Sequence, residues 1–416
     1  MSTAAFTKAP SAELSIGERL GRRLGVLAVT ALVFGITLLR FPASNTKSTA
    51  DFSEFYCAAQ IVRQGLGHDL YNLAVQAAFQ SKVGALHVFY FRLPYEALWF
   101  IPFTAFSYHT AYVIWTIVCI CLLARVAWWI ETGWSIVGKF SRLVRVPSDA
   151  GLIFILFLTF APVTTCLLLG QTAIVMLFIY TGVFVLMDRG SDFSAGCLLA
   201  LGLCKFQLVL PFAAILLLRR KWSFVKGFSC VGALLMLVSL GIAGFGFPRN
   251  YLRLLFLDSS HLPVGGFNPM FMPNLRGLVN LFIDHRVSPI ILTGVVLALS
   301  LLCLGAVAKA FNDQRLMMSL SAALLATLLV SYSLFNYDLT LILLPLTLIA
   351  AEFPAETGGL RNARMFQLAC LILFVPPLHR TLLLHTLYPL MVIPVILLFF
   401  HAIEQARLSL PRLRPA

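Results

Sequence analysis

The fold of this chain is decided where a long apolar run is followed by a charged one. Residues 24–39 read LGVLAVTALVFGITLL, and residues 49–71 read TADFSEFYCAAQIVRQGLGHDLY. The first run suits a membrane-spanning helix, which needs about 20 mainly apolar residues. The second run holds Asp51, Glu54 and Asp69 in a chain that is otherwise poor in charge. Carboxylates placed directly after a spanning helix usually belong to a site, so we interpret residues 41–92 as a catalytic loop on the outer face of a membrane.

Composition extends the membrane interpretation to the whole chain. Of 416 residues, 60% are hydrophobic and 12% are charged, whereas an ordinary soluble domain has about 25% charged residues. Apolar runs recur from end to end and predict one all-α domain, 1–416, built as a polytopic bundle of about 12 transmembrane helices. The formal net charge is +14, but most basic residues lie in short connections between apolar runs. That pattern is typical of the cytoplasmic side of a membrane protein, so we expect no nucleic-acid partner.

The positions of charge also predict the topology. Residues 1–23 are polar, end in two arginines and precede an uncleaved span, which predicts a cytoplasmic N-terminal tail. We expect residues 247–286, rich in Pro, Gly and Asn, to form a second outer loop and residues 403–416 to form a cytoplasmic tail. The protein would be a multi-pass protein of the cell membrane, with its site facing the periplasm or the cell exterior.

Some apolar runs are too long or too interrupted for one helix. We expect residues 93–130 to make one crossing, preceded by a non-spanning piece at 93–106. Residues 195–218 contain Lys205 near their middle, where an unpaired charge is costly. We therefore predict two short helices that meet at Lys205 and lift it to the outer face. The remaining predicted spans are 151–169, 172–187, 226–245, 287–309, 316–334, 338–351, 366–378 and 386–402.

In the first outer loop we predict two helices that lie on the membrane surface. Ser48 and Asp51 have the spacing of a capping box, so the first helix would begin there and end before Gly65. Asp69 would cap the second helix, at 70–83.

Short motifs in a fixed order resemble glycosyltransferase family 87, a bacterial group of the GT-C superfamily that contains polyprenol-phosphate-mannose-dependent mannosyltransferases. The motifs are, in chain order, Asp51-Phe-x-x-Phe-Tyr with Gly67-x-x-x-Tyr71, Leu93-Pro94-x-Glu96, Pro162 before Gly170-Gln171, Lys205 before Arg219-Arg220-Lys221-Trp222, and Asn336-Tyr337-Asp338. Two positions depart from the family pattern. Ala173 stands where an Asn is often found two residues after the Gln, and Phe206 follows Lys205 where a Pro is common.

The resemblance implies a sugar donor carried on a polyprenyl monophosphate and handled outside the cytoplasm. It implies no nucleotide and no cofactor, and an acidic residue of the first outer loop as the base. We expect a hexose, with mannose as the first candidate, to pass to a lipid-linked or envelope glycan acceptor, with membrane lipids as further partners. A lipid or glycan transporter and a non-catalytic scaffold are the alternatives, although no inverted repeat typical of transporters is visible.

Asp51 is the candidate general base, because an acceptor hydroxyl must lose its proton as it attacks the anomeric carbon. The alternative is that Asp51 only closes the capping box. Glu54 lies one turn further on. It is either a second acid or acceptor contact, or a solvated surface residue.

Lys205, Arg92 and Arg276 are the candidates for binding the donor phosphate. Ammonium and guanidinium groups can offset the charge left on a departing lipid phosphate. The alternatives are a snorkelling lysine at 205 and interfacial anchors at the two arginines.

Gln171, Asp338 and Tyr56 are the candidates for contacts with the sugar or the acceptor. Gln171 and Asp338 could instead cap helical turns. The histidines show no metal-ligand spacing, and the cysteines form no C-x-x-C pair, so no metal is expected.

Overall fold

The computed structural model describes residues 51–85, 88–134, 150–254, 268–283, 287–352 and 360–407. Within these ranges the regular structure is entirely helical, as predicted, and contains no strand. The N-terminal tail, the span at 24–39 and the end of the C-terminal tail lie outside the described residues. The α-helices are, in chain order, α1 (Phe52–Arg63), α2 (Leu73–Lys82), α3 (Glu96–Phe100), α4 (Tyr108–Trp134), α5 (Ala150–Thr159), α6 (Ala161–Leu169), α7 (Ala173–Asp188), α8 (Asp192–Ala200), α9 (Phe206–Leu218), α10 (Trp222–Ala243), α11 (Phe247–Arg253), α12 (Leu275–Phe282), α13 (Pro289–Ala310), α14 (Leu316–Val330), α15 (Leu343–Glu352), α16 (Leu360–Leu373), α17 (Pro376–Leu384) and α18 (Val392–Arg407).

Several of these helices are long and apolar enough to cross a membrane. Six such runs occur among the described residues, and two bent pairs, α5 with α6 and α16 with α17, raise the number to 8 if each pair counts as one span. The six runs are Tyr108–Gly133, Asp192–Leu218, Trp222–Ala243, Pro289–Ala310, Asp313–Val330 and Tyr388–Arg407. The predicted polytopic bundle is therefore confirmed, whereas the predicted total of about 12 spans is not.

Prolines bend two of the predicted spans. α5 and α6 meet at 76°, and Pro162 lies in the first turn of α6. α16 and α17 meet at 66°, and Pro376 begins α17. Proline lacks the N–H that a helix interior requires but fits the first turn. The chain therefore starts a new helix at each of these prolines, so the predicted spans at 151–169 and 366–378 are not straight.

The path around Lys205 differs from the prediction. α8 and α9 are joined by a 3₁₀ turn, Leu201–Lys205, and continue as one apolar run, Asp192–Leu218. Two short helices do meet at Lys205, as predicted, but they run on as one candidate span and do not turn back at Lys205 as two separate segments. The ammonium group is instead paired with Asp338. A charge that has a partner can remain inside the protein, away from water.

Two glycines bring α8 and α10 into direct backbone contact. A Cβ atom at Gly196 would lie 2.0 Å from the carbonyl oxygen of Phe224, and one at Gly227 would lie 2.1 Å from the carbonyl oxygen of Phe193. Only glycine leaves room for this approach. Close packing at small residues is a main source of helix association in membranes, where apolar side chains gain little by leaving lipid. The contact anchors α8 and the turn that carries Lys205.

Helix α1, in the described part of the loop predicted at 41–92, is enclosed by protein. α1 begins at Phe52 and packs on α3 and on the 3₁₀ turn Ile101–Ala105. Phe52 and Phe55 are fully buried, and the rings of Phe55 and Phe100 stack at 4.8 Å. The apolar face of α1 therefore contacts other parts of the chain, and the prediction that it lies on the membrane surface is wrong.

The caps of the loop helices also differ in detail. Asn72 caps α2, because its side chain accepts a hydrogen bond from the backbone N–H of Ala74. Asp69, the predicted cap, lies in a preceding 3₁₀ turn, Gly67–Asp69. Gly65 follows α1 with a φ of +77°, a left-handed conformation that ends a helix.

Candidate active site

Four polar side chains from three segments form one hydrogen-bonded chain. Gln171 Nε2 donates to Asp51 Oδ2 at 2.7 Å and to Glu54 Oε1 at 3.4 Å. Arg92 Nη2 donates to Gln171 Oε1 at 3.2 Å and lies 3.8 Å from Glu54 Oε1. A guanidinium group only donates and an ionised carboxylate only accepts, so the Gln171 amide fits between them in this orientation. Gln171 thereby links the acids of α1 to a cation.

The turn between α6 and α7 holds Gln171 in place. α6 ends at Gly170, whose φ of +68° is a left-handed conformation that favours glycine. Trp115 Nε1 donates to the Gly170 carbonyl oxygen at 2.9 Å, and the Cys166 thiol donates to the Gln171 carbonyl oxygen at 3.2 Å. A Cβ atom at Gly170 would lie 2.6 Å from Cβ of Phe52. The turn therefore packs directly on the start of α1, which brings Gln171 to Asp51.

Three tyrosines hold the segment that carries Arg92. The Tyr71 hydroxyl donates to the Arg92 carbonyl oxygen, and the Tyr90 hydroxyl donates to the next carbonyl, both at 2.8 Å. The Tyr95 hydroxyl donates to the Leu201 carbonyl oxygen at 2.8 Å, which ties the segment to the turn before Lys205. Residues 90–95 are not helical, so side chains supply the hydrogen bonds that a helix would otherwise provide.

Lys205 and Asp338 form an ion pair in the interior. Lys205 Nζ lies 2.5 Å from Asp338 Oδ1, and each side chain is only 1% exposed. Asp338 Oδ2 accepts a hydrogen bond at 3.1 Å from the backbone N–H of Phe335. Asp338 therefore caps the 3₁₀ turn Asn336–Ile342, which was the alternative to a contact with the sugar or the acceptor. It also forms the ion pair with Lys205. Because Nζ is enclosed, the alternative of a snorkelling lysine is wrong.

The hydrogen-bonded chain and the ion pair belong to one cluster. The turn Asn336–Ile342 packs on α6 and α7, which flank Gln171. The charges of both Arg92 and Lys205 act on the Asp51 carboxyl. Tyr337 lies near both the ion pair and the hydrogen-bonded chain. Its ring centre is 4.9 Å from Lys205 Nζ, and the charge of Asp51 acts on its hydroxyl group. Six of the predicted residues are thus brought together, namely Asp51, Glu54, Arg92, Gln171, Lys205 and Asp338.

The cluster is more open at one end than at the other. Asp51 and Arg92 are partly exposed, whereas Gln171, Lys205 and Asp338 are buried. A small polar molecule could therefore approach from the side of Asp51, with the ion pair at the closed end.

Burial raises the pKa of both acids on α1. For Asp51, the hydrogen bond from Gln171 and the charges of Arg92 and Lys205 oppose this effect of burial on the pKa. Burial raises the pKa of Glu54 to about 8, and Arg92 opposes the rise whereas Asp51 adds to it. Glu54 therefore keeps its proton at neutral pH, and the alternative of a solvated surface residue is wrong. Asp51 has more partners that favour its ionised form, so it is the acid of the pair suited to act as a base.

Arg92 stays cationic in this surrounding. Burial alone would lower the pKa of its guanidinium group, but the carboxyls of Glu96 and Glu54 raise the pKa above its usual range.

Two predicted site residues lie elsewhere. The Tyr56 hydroxyl donates to the Phe106 carbonyl oxygen at 2.8 Å. Arg276 Nη1 donates to the Tyr332 carbonyl oxygen at 3.0 Å, and the Arg276 guanidinium lies 4.2 Å from the Tyr332 ring centre. Neither side chain makes a hydrogen bond or ion pair with the cluster within the described ranges. The alternative of an anchor describes the contacts of Arg276 better.

Glu96 belongs to the cluster, although it was named above only within the motif Leu93-Pro94-x-Glu96 and not as a site residue. It is fully buried in the first turn of α3, and its charge acts on Arg92. The available signal was an acid four residues after an arginine in an otherwise apolar stretch, and such acids are often functional in membrane proteins.

The arrangement combines two chemical capacities. A partly exposed carboxylate can accept a proton from a hydroxyl group. The cations beside it, Arg92 at the open end and Lys205 in the interior, can offset the charge of an anionic group. The described residues contain no group of three or more His, Cys, Asp or Glu side chains that could hold a metal ion.

A comparison with protein families agrees with this chemistry. The family model for glycosyltransferase family 87 matches residues 94–335. This range includes Gln171 and Lys205, whereas Asp51 and Arg92 precede it and Asp338 follows it. No curated protein and no solved structure matches the chain. Because the family match covers more than half of a chain built from apolar helices, this protein belongs to glycosyltransferase family 87 and is a membrane glycosyltransferase.

Proposed function

We propose that this glycosyltransferase moves a hexose, with mannose as the first candidate, from a polyprenyl-phosphate donor to a lipid-linked or envelope glycan acceptor. The observation that carries the proposal is the cluster itself, in which Gln171 joins Asp51 to Arg92 and Lys205 lies close by. A lipid donor suits a site enclosed by apolar helices, because the polyprenyl chain can remain in the bilayer while its phosphate reaches the cations. The reaction would take place at the outer face of the cell membrane.

In the proposed reaction Asp51 acts as the general base. The acceptor hydroxyl attacks the anomeric carbon, and its proton passes to the Asp51 carboxylate. The bond between the anomeric carbon and the phosphate oxygen breaks, and its electron pair leaves with the lipid phosphate. Arg92 and Lys205 offset the resulting negative charge. A single displacement with one carboxylate as base inverts the configuration at the anomeric carbon.

The other members of the cluster support these groups. Glu54, which holds its proton at neutral pH, shares the Gln171 amide with Asp51 and leaves Asp51 as the acid that serves as the base. Gln171 orients Asp51 and Arg92 at the same time. Asp338 holds Lys205 at the closed end of the site.

The test is transfer by purified protein from a panel of polyprenyl-phosphate hexoses, measured as release of polyprenyl phosphate and as sugar on the acceptor. Asp51→Asn should abolish transfer but leave folding and donor binding intact. Asp69→Asn, which changes an exposed acid in the same loop, is the matched control and should transfer normally. Full activity of Asp51→Asn would remove the mechanism. Movement of the intact donor across vesicles without transfer would support the transporter alternative instead.

A further inference from the structure

The carboxyl of Glu96 is fully buried and has no hydrogen-bond partner in the part of the chain that the structure describes. Its exposed fraction is 0%, and neither oxygen accepts a hydrogen bond from any described residue. Buried polar groups in proteins almost always have a partner, and a group that lacks one needs an explanation. Asp338 shows the usual case at the same depth, because Lys205 and the Phe335 backbone use its two oxygens.

Glu96 lies close to both cations of the site but pairs with neither. The charges of Arg92 and Lys205 act on its carboxyl, yet their nitrogens remain beyond ion-pair distance. The Cys204 thiol lies near enough to act on the Glu96 carboxyl as a weak hydrogen-bond donor, but it forms no hydrogen bond of ordinary distance and angle with either oxygen. Among the described residues, therefore, no strong donor bonds either oxygen of Glu96, and the carboxyl can accept hydrogen bonds from a ligand.

The position of Glu96 is fixed by its neighbour. The Tyr95 hydroxyl donates to the Leu201 carbonyl oxygen at 2.8 Å and accepts from the Cys204 backbone N–H at 2.6 Å. These bonds tie the start of α3 to the turn that carries Lys205. The start of α3 therefore stays beside this turn, which keeps Glu96 near both cations.

We propose that Glu96 binds the sugar of the donor through two neighbouring hydroxyl groups, an inference that rests on the proposed function. A phosphodiester has no hydrogen to donate, and an ionised carboxylate only accepts, so direct contact between them would place acceptors together. Sugar hydroxyls both donate and accept. A neighbouring pair of them can donate one hydrogen bond to each oxygen of Glu96, which an amide in place of the carboxyl could not accept in full. With the donor phosphate at Arg92 and Lys205, the attached sugar lies within reach of Glu96.

Such a contact would make Glu96 a residue that determines sugar specificity. A buried group designed to bond a hydroxyl discriminates strongly against a ligand that lacks it, because the buried group is then left without a partner. Arg92 and Lys205 would bind any polyprenyl phosphate, whereas Glu96 would select among the sugars attached to it.

The test compares two lipids, a polyprenyl-phosphate hexose that serves as donor and polyprenyl phosphate without a sugar. Glu96→Gln keeps the shape of the side chain but replaces one acceptor oxygen with an amide. We expect it to bind the sugar-bearing lipid about 10- to 100-fold more weakly than the wild type and the bare lipid with unchanged affinity. Asp69→Asn is the control and should bind both lipids as the wild type does.

Other outcomes overturn the proposal. Equal losses for both lipids would mean that Glu96 acts on the cations, and unchanged binding of both would mean that it contacts neither. If Glu96→Gln does not fold, the wild type is tested with donors that each lack one hydroxyl. Loss of affinity at two neighbouring positions supports the proposal, and loss at none or only at separated positions overturns it. A wild type that binds neither lipid refutes the proposed function as well, so the two failures are distinguishable.

Discussion

The buried ion pair of Lys205 and Asp338 can be tested one charge at a time. Lys205 Nζ and Asp338 Oδ1 are 2.5 Å apart, and each side chain is 1% exposed, so either partner alone would leave a charge inside the protein without compensation. Removing one member of a buried pair costs about 3–5 kcal/mol, whereas replacing both members with neutral groups is close to neutral. We expect Lys205→Met to lose stability in that range.

The partner variant should lose less. Lys205 Nζ and the Phe335 backbone N–H bond to different carboxylate oxygens of Asp338 in the wild type. In Asp338→Asn the amide oxygen can still accept from Lys205 Nζ, so the ammonium group keeps one bond, although the bond from the Phe335 N–H is lost. We expect a loss near the lower end of the range, about 3 kcal/mol. The double variant, Lys205→Met with Asp338→Asn, should recover most of the stability of the wild type, because no unpaired charge remains.

Thermal unfolding in detergent micelles, followed by tryptophan fluorescence, measures the stability of all four proteins, and donor binding is measured on the same samples. The double variant should fold but bind the polyprenyl-phosphate donor weakly, because the cation of Lys205 is absent. Asp338→Asn keeps that cation and should bind the donor at least as tightly as the wild type. Two results would refute the reasoning. Strictly additive losses of stability would show that the charges are not coupled, and normal transfer by the double variant would show that Lys205 does not serve the donor phosphate.

Three further predictions follow from the geometry of the site and the bundle. Because burial raises the pKa of Glu54 to about 8, transfer should fall as the pH rises through that value, since an ionised Glu54 would pair with Arg92 and repel the base. Glu54→Gln should remove this alkaline fall from the pH–rate profile, and a profile identical to that of the wild type would contradict the assignment. Gly170→Ala should lower stability by about 1–3 kcal/mol and reduce transfer more than folded yield, because the new methyl group meets Phe52 and shifts the turn that carries Gln171. Gly196→Ala should destabilise the protein by about 1–3 kcal/mol in an unfolding assay. The control is Gly241→Ala, which should keep the stability of the wild type because its new methyl group would meet nothing within 4 Å. Equal effects of the two substitutions would argue against close backbone contact between α8 and α10.

The sequence predicted the helical membrane bundle well, because each spanning helix shows itself in a local run of apolar residues. The break at Lys205 was also visible locally, as a single charge in an apolar run. The path of the chain through that break could not be predicted from the local sequence. It depends on Asp338, which lies 133 residues further along the chain and removes the need for Lys205 to reach water. A local pattern shows that a charge needs a partner but does not show which distant residue provides it.

The same distinction applies to the site. Asp51, Gln171 and Arg92 each stand out by residue type and position, yet 120 residues separate Asp51 from Gln171 and 79 separate Gln171 from Arg92. Their hydrogen bonds exist only in the folded bundle. Glu54 could be taken for a surface residue because the segments that bury α1 come later in the chain. Glu96 was missed because its isolation from donors is a property of its surroundings, which the residue types alone do not display.

The tyrosine hydroxyls that hold residues 90–95 determine how rigid the receptor is before any ligand arrives. A non-helical segment left without these bonds would sample many backbone conformations, and freezing it would cost about 1–2 kcal/mol per residue. The hydrogen bonds of Tyr71, Tyr90 and Tyr95 order this segment when the protein folds, so the entropic cost falls on folding and not on ligand binding. Arg92 is thus positioned before a ligand binds, and the free energy of binding is not reduced by the cost of ordering this segment. A preorganised receptor of this kind can change its preference through a few lining side chains while the backbone stays the same.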